Sequence, residues 1–212
     1  MITPLEDLEI QSLVFGLPKK SGDHYAISVS IGEEKERIMI QTPKLKLSND
    51  LNLDAMTFVD MACSNPEFIE SVKQVDHAMA SVIKANRGTW FPNKNIDDTF
   101  VEVGQMPSVL MQNVLRLRVR KNVDIFDSAK NQLSDITSVE AGTSVRCILH
   151  VSGLWFTATR WGISWNVVQL KMYPKDKPKA VYTGYLFPDE DEDAPVSDEA
   201  EDIDTVVPPP GV

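Results

Sequence analysis

The sequence predicts a mainly β domain, a small β-barrel that carries one inserted amphipathic helix, followed by a disordered acidic tail. Several runs have apolar residues at every second position, one longer run has them at three- and four-residue spacing, and the last stretch is rich in acids and prolines. Six or more segments have the strand pattern, whereas one firm segment has the helix pattern. The predicted boundaries are 1–187 for the barrel domain and 188–212 for the tail.

The first strand signals lie in the amino-terminal part of the chain. Residues 25–31 alternate between apolar and small side chains, and a Gly-Glu-Glu-Lys turn leads into residues 37–42, which predicts a hairpin. The alternation resumes after a proline in Lys44-Leu45-Lys46-Leu47, so Lys44 and Lys46 are predicted to point the same way.

The inserted helix is predicted to begin in Ser64-Asn65-Pro66-Glu67. This segment supplies a capping side chain, a proline at the first helical position and an early acid. About twenty residues with a single apolar stripe follow, and the helix is predicted to stop near Asn86-Arg87-Gly88. His77 lies off the stripe, which favours a solvated histidine over a metal ligand.

The second half of the chain returns to the strand pattern. In residues 114–121 three leucine and valine side chains share one face, and Arg116, Arg118 and Arg120 share the other. Three more strands are predicted at 143–151, 153–159 and 161–173, with a turn near Trp161-Gly162. A regular last strand would place these side chains on one face: Trp161, Ile163, Trp165, Val167, Gln169, Lys171 and Tyr173.

The net charge of −10 comes entirely from the end of the chain. Residues 188–212 contain ten acids and no base, which leaves 21 acids against 21 Lys and Arg in the predicted domain. The acidic total therefore does not exclude a nucleic-acid ligand. The final stretch has no aromatic residue, and such a composition cannot bury enough apolar surface to offset the entropy lost on ordering.

Cysteine usage and hydropathy predict an intracellular protein that is neither secreted nor inserted in a membrane. Cys63 and Cys147 lie far apart without the spacing of a metal site, which favours two small buried apolar side chains. The chain opens without the pattern of a secretory signal, and no stretch approaches about 18 apolar residues.

Signals for catalysis are weak, so we expect no enzyme, no cofactor and no metal. His24, His77 and His150 are scattered, and neither of the common glycine-rich nucleotide-binding loops occurs. Cys147 and His150 would point to opposite faces of a strand. Asp97 and Asp98 could hold a divalent ion or act in acid–base chemistry, but adjacent loop acids are more often simply solvated.

The basic and aromatic character of the second half favours a nucleic-acid ligand. Residues 114–187 contain eleven bases against five acids, together with three of the four tryptophans and three tyrosines. Binders of single strands need cations for the phosphates and flat rings on which bases stack. Two alternatives stay open: the arginine stripe as an ordinary solvated strand face, and Trp165 as part of the core.

Four motifs in order carry a family resemblance: I-Q-T-P-K at 40–44, N-R-G-T-W-F at 86–91, L-R-L-R-V at 115–119 and G-L-W-F-T-A-T-R-W-G-I-S-W at 153–165. With the acidic tail, they resemble the single-stranded-DNA-binding proteins of large double-stranded-DNA viruses, which are similar to phage replication proteins with an OB-fold. The resemblance implies an OB-fold-like barrel that coats single-stranded DNA in replication, repair and recombination, without catalysis or strong sequence preference. One departure is the tail's ending, Pro-Pro-Pro-Gly-Val, where the phage relatives commonly finish on an aromatic residue.

These observations define a set of expected DNA-binding residues and partners. The residues are Lys44, Lys46, Trp90, Arg116, Arg118, Arg120, Lys121, Trp155, Arg160, Trp161, Trp165, Lys171 and Tyr173. Single-stranded DNA is the expected ligand at sites of viral or phage replication, the tail is the expected contact for a polymerase or a helicase/primase, and a homodimer is left open. The alternatives are a barrel-type interaction or virion scaffold module that does not bind DNA, and a hydrolase using Asp97 or Asp98.

Overall fold

The computed structural model describes residues 2–94, 96–134 and 136–174, without the side chain of Asn122. The predicted tail lies outside the described residues, and so do Lys175, Lys177 and Lys179. The helices are α1 (Pro66–Trp90) and α2 (Asp98–Val103). The strands are β1 (Leu13–Phe15), β2 (Lys19–Ser21), β3 (His24–Ile31), β4 (Ile38–Gln41), β5 (Leu45–Leu47), β6 (Leu51–Asn52), β7 (Thr57–Cys63), β8 (Val109–Leu110), β9 (Val114–Phe126), β10 (Ser138–Val139), β11 (Ser144–Phe156) and β12 (Trp161–Met172).

Five of these strands close into a ring that forms the barrel. β5 pairs with β7, β7 with β9, β9 with β12, β12 with β11, and β11 again with β5. The contact between β9 and β12 is parallel and the other four are antiparallel. α1 is inserted between the second and third strands of the ring. The fold is therefore the predicted mainly β, OB-fold-like barrel with one long amphipathic helix.

The strand β11 organises the barrel, because it pairs along both of its edges. One edge pairs with β12, and the other pairs in turn with β5, β4 and β3. The register shifts between Val151 and Gly153, where Gly153 has a φ of 154°. The sequence predicted two strands here, at 143–151 and 153–159. They are one strand, because the bulge bends the ladder without ending it.

The predicted hairpin between residues 25–31 and 37–42 is wrong. β3 and β4 both pair antiparallel with β11, so they run in the same direction along its edge. Between them only Ile31 and Glu36 form a bridge, and their backbone groups exchange two hydrogen bonds. Gly32 and Lys35 take left-handed conformations inside this closed turn, which lets the chain resume its path along β11.

The helix α1 follows its sequence signals closely. The Asn65 side chain accepts a hydrogen bond from the backbone N–H of Phe68, and Pro66 occupies the first helical position. Six side chains of the predicted stripe are buried: Phe68, Ile69, Val72, Val75, Met79 and Ile83. His77 is exposed, as predicted, and the helix continues a few residues beyond the predicted stop.

A buried polar network ties α1 to the barrel. The Asp76 carboxylate accepts hydrogen bonds from the backbone N–H of Ser108 at 2.7 Å and from its hydroxyl at 2.5 Å. That hydroxyl in turn accepts a hydrogen bond from Trp165 Nε1 at 2.7 Å. Burial raises the pKa of Asp76, while the two hydrogen bonds from Ser108 act in the opposite direction. Through Ser108, the Asp76 carboxylate on α1 thereby fixes the orientation of the Trp165 indole on β12.

Two further sequence expectations concern the cysteines and the membrane. Cys63 and Cys147 are both buried and unpaired, which confirms their prediction as small core side chains. Within the described ranges, no helix combines the length and the apolar character needed to cross a bilayer.

Replacement of Gly153 by alanine tests the dependence of the sheet on β11. A Cβ at this position would overlap the carbonyl oxygen of Ile27, and the φ of 154° disfavours any side chain. Gly153→Ala should therefore lower the free energy of unfolding by about 2 kcal/mol or more, measured by denaturant titration. Gly88→Ala is the matched control, because a Cβ there meets open space. Equal free energies of unfolding for the two variants would contradict the dependence of the sheet on the close approach of β11 to β3 at Gly153.

Candidate nucleic-acid interface

The outer surface of β7 and β9 carries the predicted arginine stripe; we call it the arginine face, defined by Phe58, Asp60, Arg116, Arg118 and Arg120. Leu115, Leu117 and Val119 are buried on the inner side, so the alternation predicted for this strand is confirmed. In the antiparallel pairing of the two strands, Asp60 lies opposite Arg116 and Phe58 lies opposite Arg118. The face therefore combines cations with one acid and one aromatic ring.

Arg116 is held by a bidentate ion pair with Asp60. Its Nε and Nη2 donate to the two carboxylate oxygens, each at 2.8 Å. This hydrogen-bonded pair holds the pKa of Asp60 below its usual value, although partial burial opposes the shift. Arg116 is thus fixed in direction, but its charge is locally balanced by a carboxylate.

Phe58 is the exposed aromatic ring of this surface and was not among the predicted residues. Its side chain is 67% exposed beside Met56, which is 58% exposed and contacts the Arg118 guanidinium through its sulfur. The segment Thr57–Cys63 has a readable signal: Val59, Met61 and Cys63 alternate as core residues, which leaves Phe58 and Asp60 outside. A flat ring that is open to solvent beside an arginine can stack on a base.

Arg120 and Lys121 are exposed where the β9–β12 register shifts. The pKa of His150, on β11, responds to the charges in this region. Burial is the largest cause that lowers its pKa, and the positive charges of Arg37 and Arg120 lower it further. Arg120 is therefore the residue of the arginine face whose charge acts on His150 of β11.

Three of the predicted stacking tryptophans are core residues, which corrects the sequence analysis. Trp161 and Trp165 are buried, and their indole N–H groups donate to the Val101 carbonyl and to Ser108, respectively. Trp90 is buried and its ring lies 5.6 Å from that of Phe15. A covered ring offers no face to a base. Trp155 is partly exposed, so its role in DNA binding stays a prediction.

The predicted shared face of the last strand is also wrong, because β12 contains a bulge. Trp161, Ile163, Trp165 and Val167 are buried, but Val168 is an extra residue in the pairing with β11, where Leu149 lies opposite Val167 and Ile148 opposite Gln169. The inward residue after the bulge is Leu170, whereas Gln169 is exposed and Lys171 partly so. The tryptophans thus enter the core while Lys171 lies with the outer residues.

A second cationic surface, the tyrosine groove, is formed by Phe126, Lys130, Arg146, Lys171 and Tyr173. It is an open pocket of about 350 Å³, whose lining also includes Gln41, Cys147, Ile148, Gln169 and Leu170. In the sheet, Lys171 lies between Phe126 of β9 and Arg146 of β11. The Nζ atoms of Lys44 and Lys171 lie 4.5 and 5.7 Å from the Tyr173 ring centroid. The structure thus brings the predicted residues Lys171 and Tyr173 into one pocket, with the predicted Lys44 over the tyrosine ring, and adds Phe126, Lys130 and Arg146.

The other predicted cations are exposed outside these two centres. Lys46 lies opposite Ser144, at the β5–β11 contact, and Arg160 lies in the turn between β11 and β12. The Arg160 guanidinium contacts the sulfur of Met106. Binding of DNA by either residue stays a prediction.

The acids considered for catalysis have structural partners. The Asp97 side chain caps α2 by accepting from the Phe100 N–H at 2.7 Å, and Asp98 forms an ion pair with Arg87 at 2.6 Å. Over the described stretches, no three His, Cys, Asp or Glu side chains come together as a metal site. Neither arrangement resembles a pair of carboxylates poised for acid–base chemistry.

The closed ring of five strands defines a barrel of the OB-like class. Residues 49–189 match a family described as a family of unknown function (DUF5871), and the chain belongs to that family. No curated protein matches the sequence significantly.

Similar solved structures come from phages. The single-stranded-DNA-binding protein gp2.5 of bacteriophage T7 is 11% identical, over 70% of this chain and 98% of that one, with a TM-score of 0.46. The single-stranded-DNA-binding protein of bacteriophage Enc34 is 9% identical, over 81% and 96%, with a TM-score of 0.43. Its complex with single-stranded DNA is 12% identical, over 76% and 96%, with a TM-score of 0.44. These values are too low to carry a function over to this chain.

Asp60→Asn tests whether the carboxylate limits the charge available on the arginine face. The substitution should release Arg116 for a phosphate, because an amide cannot form the same charged pair. Affinity for oligothymidylate should rise, and the plot of log affinity against log salt should steepen by about 0.7. Asp23→Asn, in an exposed turn, is the control for the change in net charge. Identical slopes for the two variants would count against a role for Arg116.

Proposed function

We propose that this protein binds single-stranded DNA non-catalytically and with little sequence preference, through the arginine face. The observation that carries the proposal is Phe58, a ring 67% exposed that lies directly opposite Arg118. In chain order, Phe58 lies on the second strand of the ring, β7, and Arg118 lies on the third, β9. In OB-folds this pair of strands is a surface for oligonucleotides.

The chemistry of the arginine face matches the two needs of single-strand binding. Arg118 and Arg120, with the adjacent Lys121, supply cations for phosphates, and Phe58 supplies a ring on which a base can stack. Bases are free for stacking only when they are not paired in a duplex, so this arrangement favours single strands. The exposed Arg120 and Lys121 add contacts that carry no sequence information.

The biological setting is proposed from the family resemblance. The four motifs and the acidic end of the chain support a role in viral or phage DNA replication, repair or recombination. We further propose that residues 1–187 form the binding domain, and that residues 188–212 contact replication proteins. The ten acids of that segment support this second role, since they supply a concentrated charge.

One observation favours a different function, a protein-interaction or virion scaffold module. Phe58 and Met56 form an exposed apolar pair that would also suit a protein partner. Such a module would keep the barrel but show no salt-sensitive binding of DNA. The two functions therefore differ in one measurable property.

The deciding experiment measures fluorescence anisotropy with an oligothymidylate and a matched duplex at two salt concentrations. The single strand should bind more tightly, and its affinity should fall as salt rises. Phe58→Ala should weaken single-strand binding by between about five- and about 150-fold, corresponding to about 1–3 kcal/mol for one stacked base. Met111→Ala, another exposed apolar residue, should have no such effect. Absence of salt-sensitive DNA binding would favour the interaction module.

The acidic segment should compete with DNA for the cationic surfaces. Ten tethered acids have a high effective concentration near the domain's own cations. Truncation after Phe187 should therefore raise DNA affinity, and the gain should be largest at low salt, where screening is weakest. The measurement is a binding titration of the full and truncated chains over a salt series. Equal affinities at low ionic strength would leave the segment as a partner-docking or solubility element.

A further inference from the structure

The tyrosine groove and the arginine face occupy different parts of the barrel surface, although β9 contributes to both: Phe126 is its last residue, whereas Arg116 and Arg118 lie near its start. The cations of the groove come from the segment after β9 (Lys130), from β11 (Arg146) and from β12 (Lys171), and Lys44, before β5, lies over the Tyr173 ring. Around the ring, β11 is separated from β7 by β5 and from β9 by β12. The groove is centred on β11, β12 and the end of β9, whereas the arginine face lies where β7 pairs with the first part of β9, so the two surfaces are separate.

The cations of the groove are held close together without balancing ion pairs. Within the described part of the chain, neither the groove cations Lys130, Arg146 and Lys171 nor the neighbouring Lys44 form a salt bridge within 4.0 Å, in contrast to Arg116. One acid lies near enough to Lys171 for an electrostatic effect, namely Asp127. Hydrogen bonds from Asn131 are the main cause that lowers the pKa of Asp127, and Lys171 is a minor one. The groove thus keeps an excess of positive charge.

The aromatic residues give the groove a second kind of contact. The Tyr173 ring lies under the Lys44 ammonium group, and Phe126 lines the same pocket. A volume of about 350 Å³ is at the lower end of the range for small-molecule sites. Cations around a pocket with two partly exposed rings match one nucleotide unit, whose phosphate needs the charges and whose base needs a flat apolar surface.

We propose that the tyrosine groove is a second nucleotide subsite, so that a single DNA strand contacts two separate surfaces of the barrel. Arg146 and Lys171 bind a phosphate there, and Tyr173 and Phe126 contact the adjoining base. This inference rests on the proposed function and extends it. A strand long enough to reach both subsites gains affinity because the second contact becomes intramolecular.

The test uses the full chain and oligothymidylates of about 4 and about 16 nucleotides, the limits of the site size for one OB-fold. The groove variant is Arg146→Ala with Lys171→Ala, and the face variant is Phe58→Ala with Arg118→Ala. Lys19→Ala with Lys20→Ala is the control for lost charge, because both lysines are exposed on β2. A milder groove variant, Lys44→Gln with Lys171→Gln, keeps the test open if the first does not fold.

The expected results separate the two subsites. In the unaltered chain, the short oligonucleotide should shift backbone amide resonances at both Phe58 and Lys171, and each double variant should lose one of these responses. The long oligonucleotide should bind the groove variant at least about tenfold more weakly than the lysine control. Its salt slope should also be shallower by about 0.7 for each lost phosphate contact.

The two proposals fail in different ways. If the unaltered chain does not bind the long oligonucleotide, the proposed function is wrong. Suppose instead that the unaltered chain binds the long oligonucleotide, that the face variant binds it more weakly, and that the groove variant and the lysine control bind it equally well. The second subsite is then wrong and the proposed function stands. Loss of binding in the groove variant alone would place the whole strand in the groove and overturn the proposal of two subsites.

Discussion

The close approach of Gly153 to Ile27 lets one strand, β11, pair with four others: β3, β4, β5 and β12. Beyond this point β11 leaves β4 and pairs with β3, while its other edge continues along β12. A side chain at this position would separate the two backbones, and the amino-terminal strands would lose their register. The positions of the cations on β11 and β12 depend on the same continuous ladder.

Sequence patterns predicted the elements whose signals are local. The capped helix α1 and the alternation of arginine and leucine in β9 need only their own residues, and both were found. The pairing of β3 with β11, and the bulge in β12, depend on contacts between distant segments. A single bulge reverses the direction of all later side chains, which is why Lys171 could not be placed by counting from Trp161.

The candidate site was only partly predictable for a related physical reason. Alternation shows which residues share a face of a strand, but not which face is covered by the rest of the fold. Trp161 and Trp165 therefore fitted a binding surface and a core equally well in sequence. Phe58 was missed because the short strand that carries it was not assigned, and Arg146 because nothing local links it to Lys171 or Tyr173.

The buried thiol of Cys147 can be used to follow opening of the barrel beside the tyrosine groove. Cys147 lines the pocket, yet its side chain is covered, and burial raises its pKa to about 12. A thiol in this state does not react with alkylating reagents, since the reactive species is the thiolate. Because the sulfur of Cys147 packs against Met61 inside the barrel, its modification requires the barrel to open, and the rate of modification measures how often this happens.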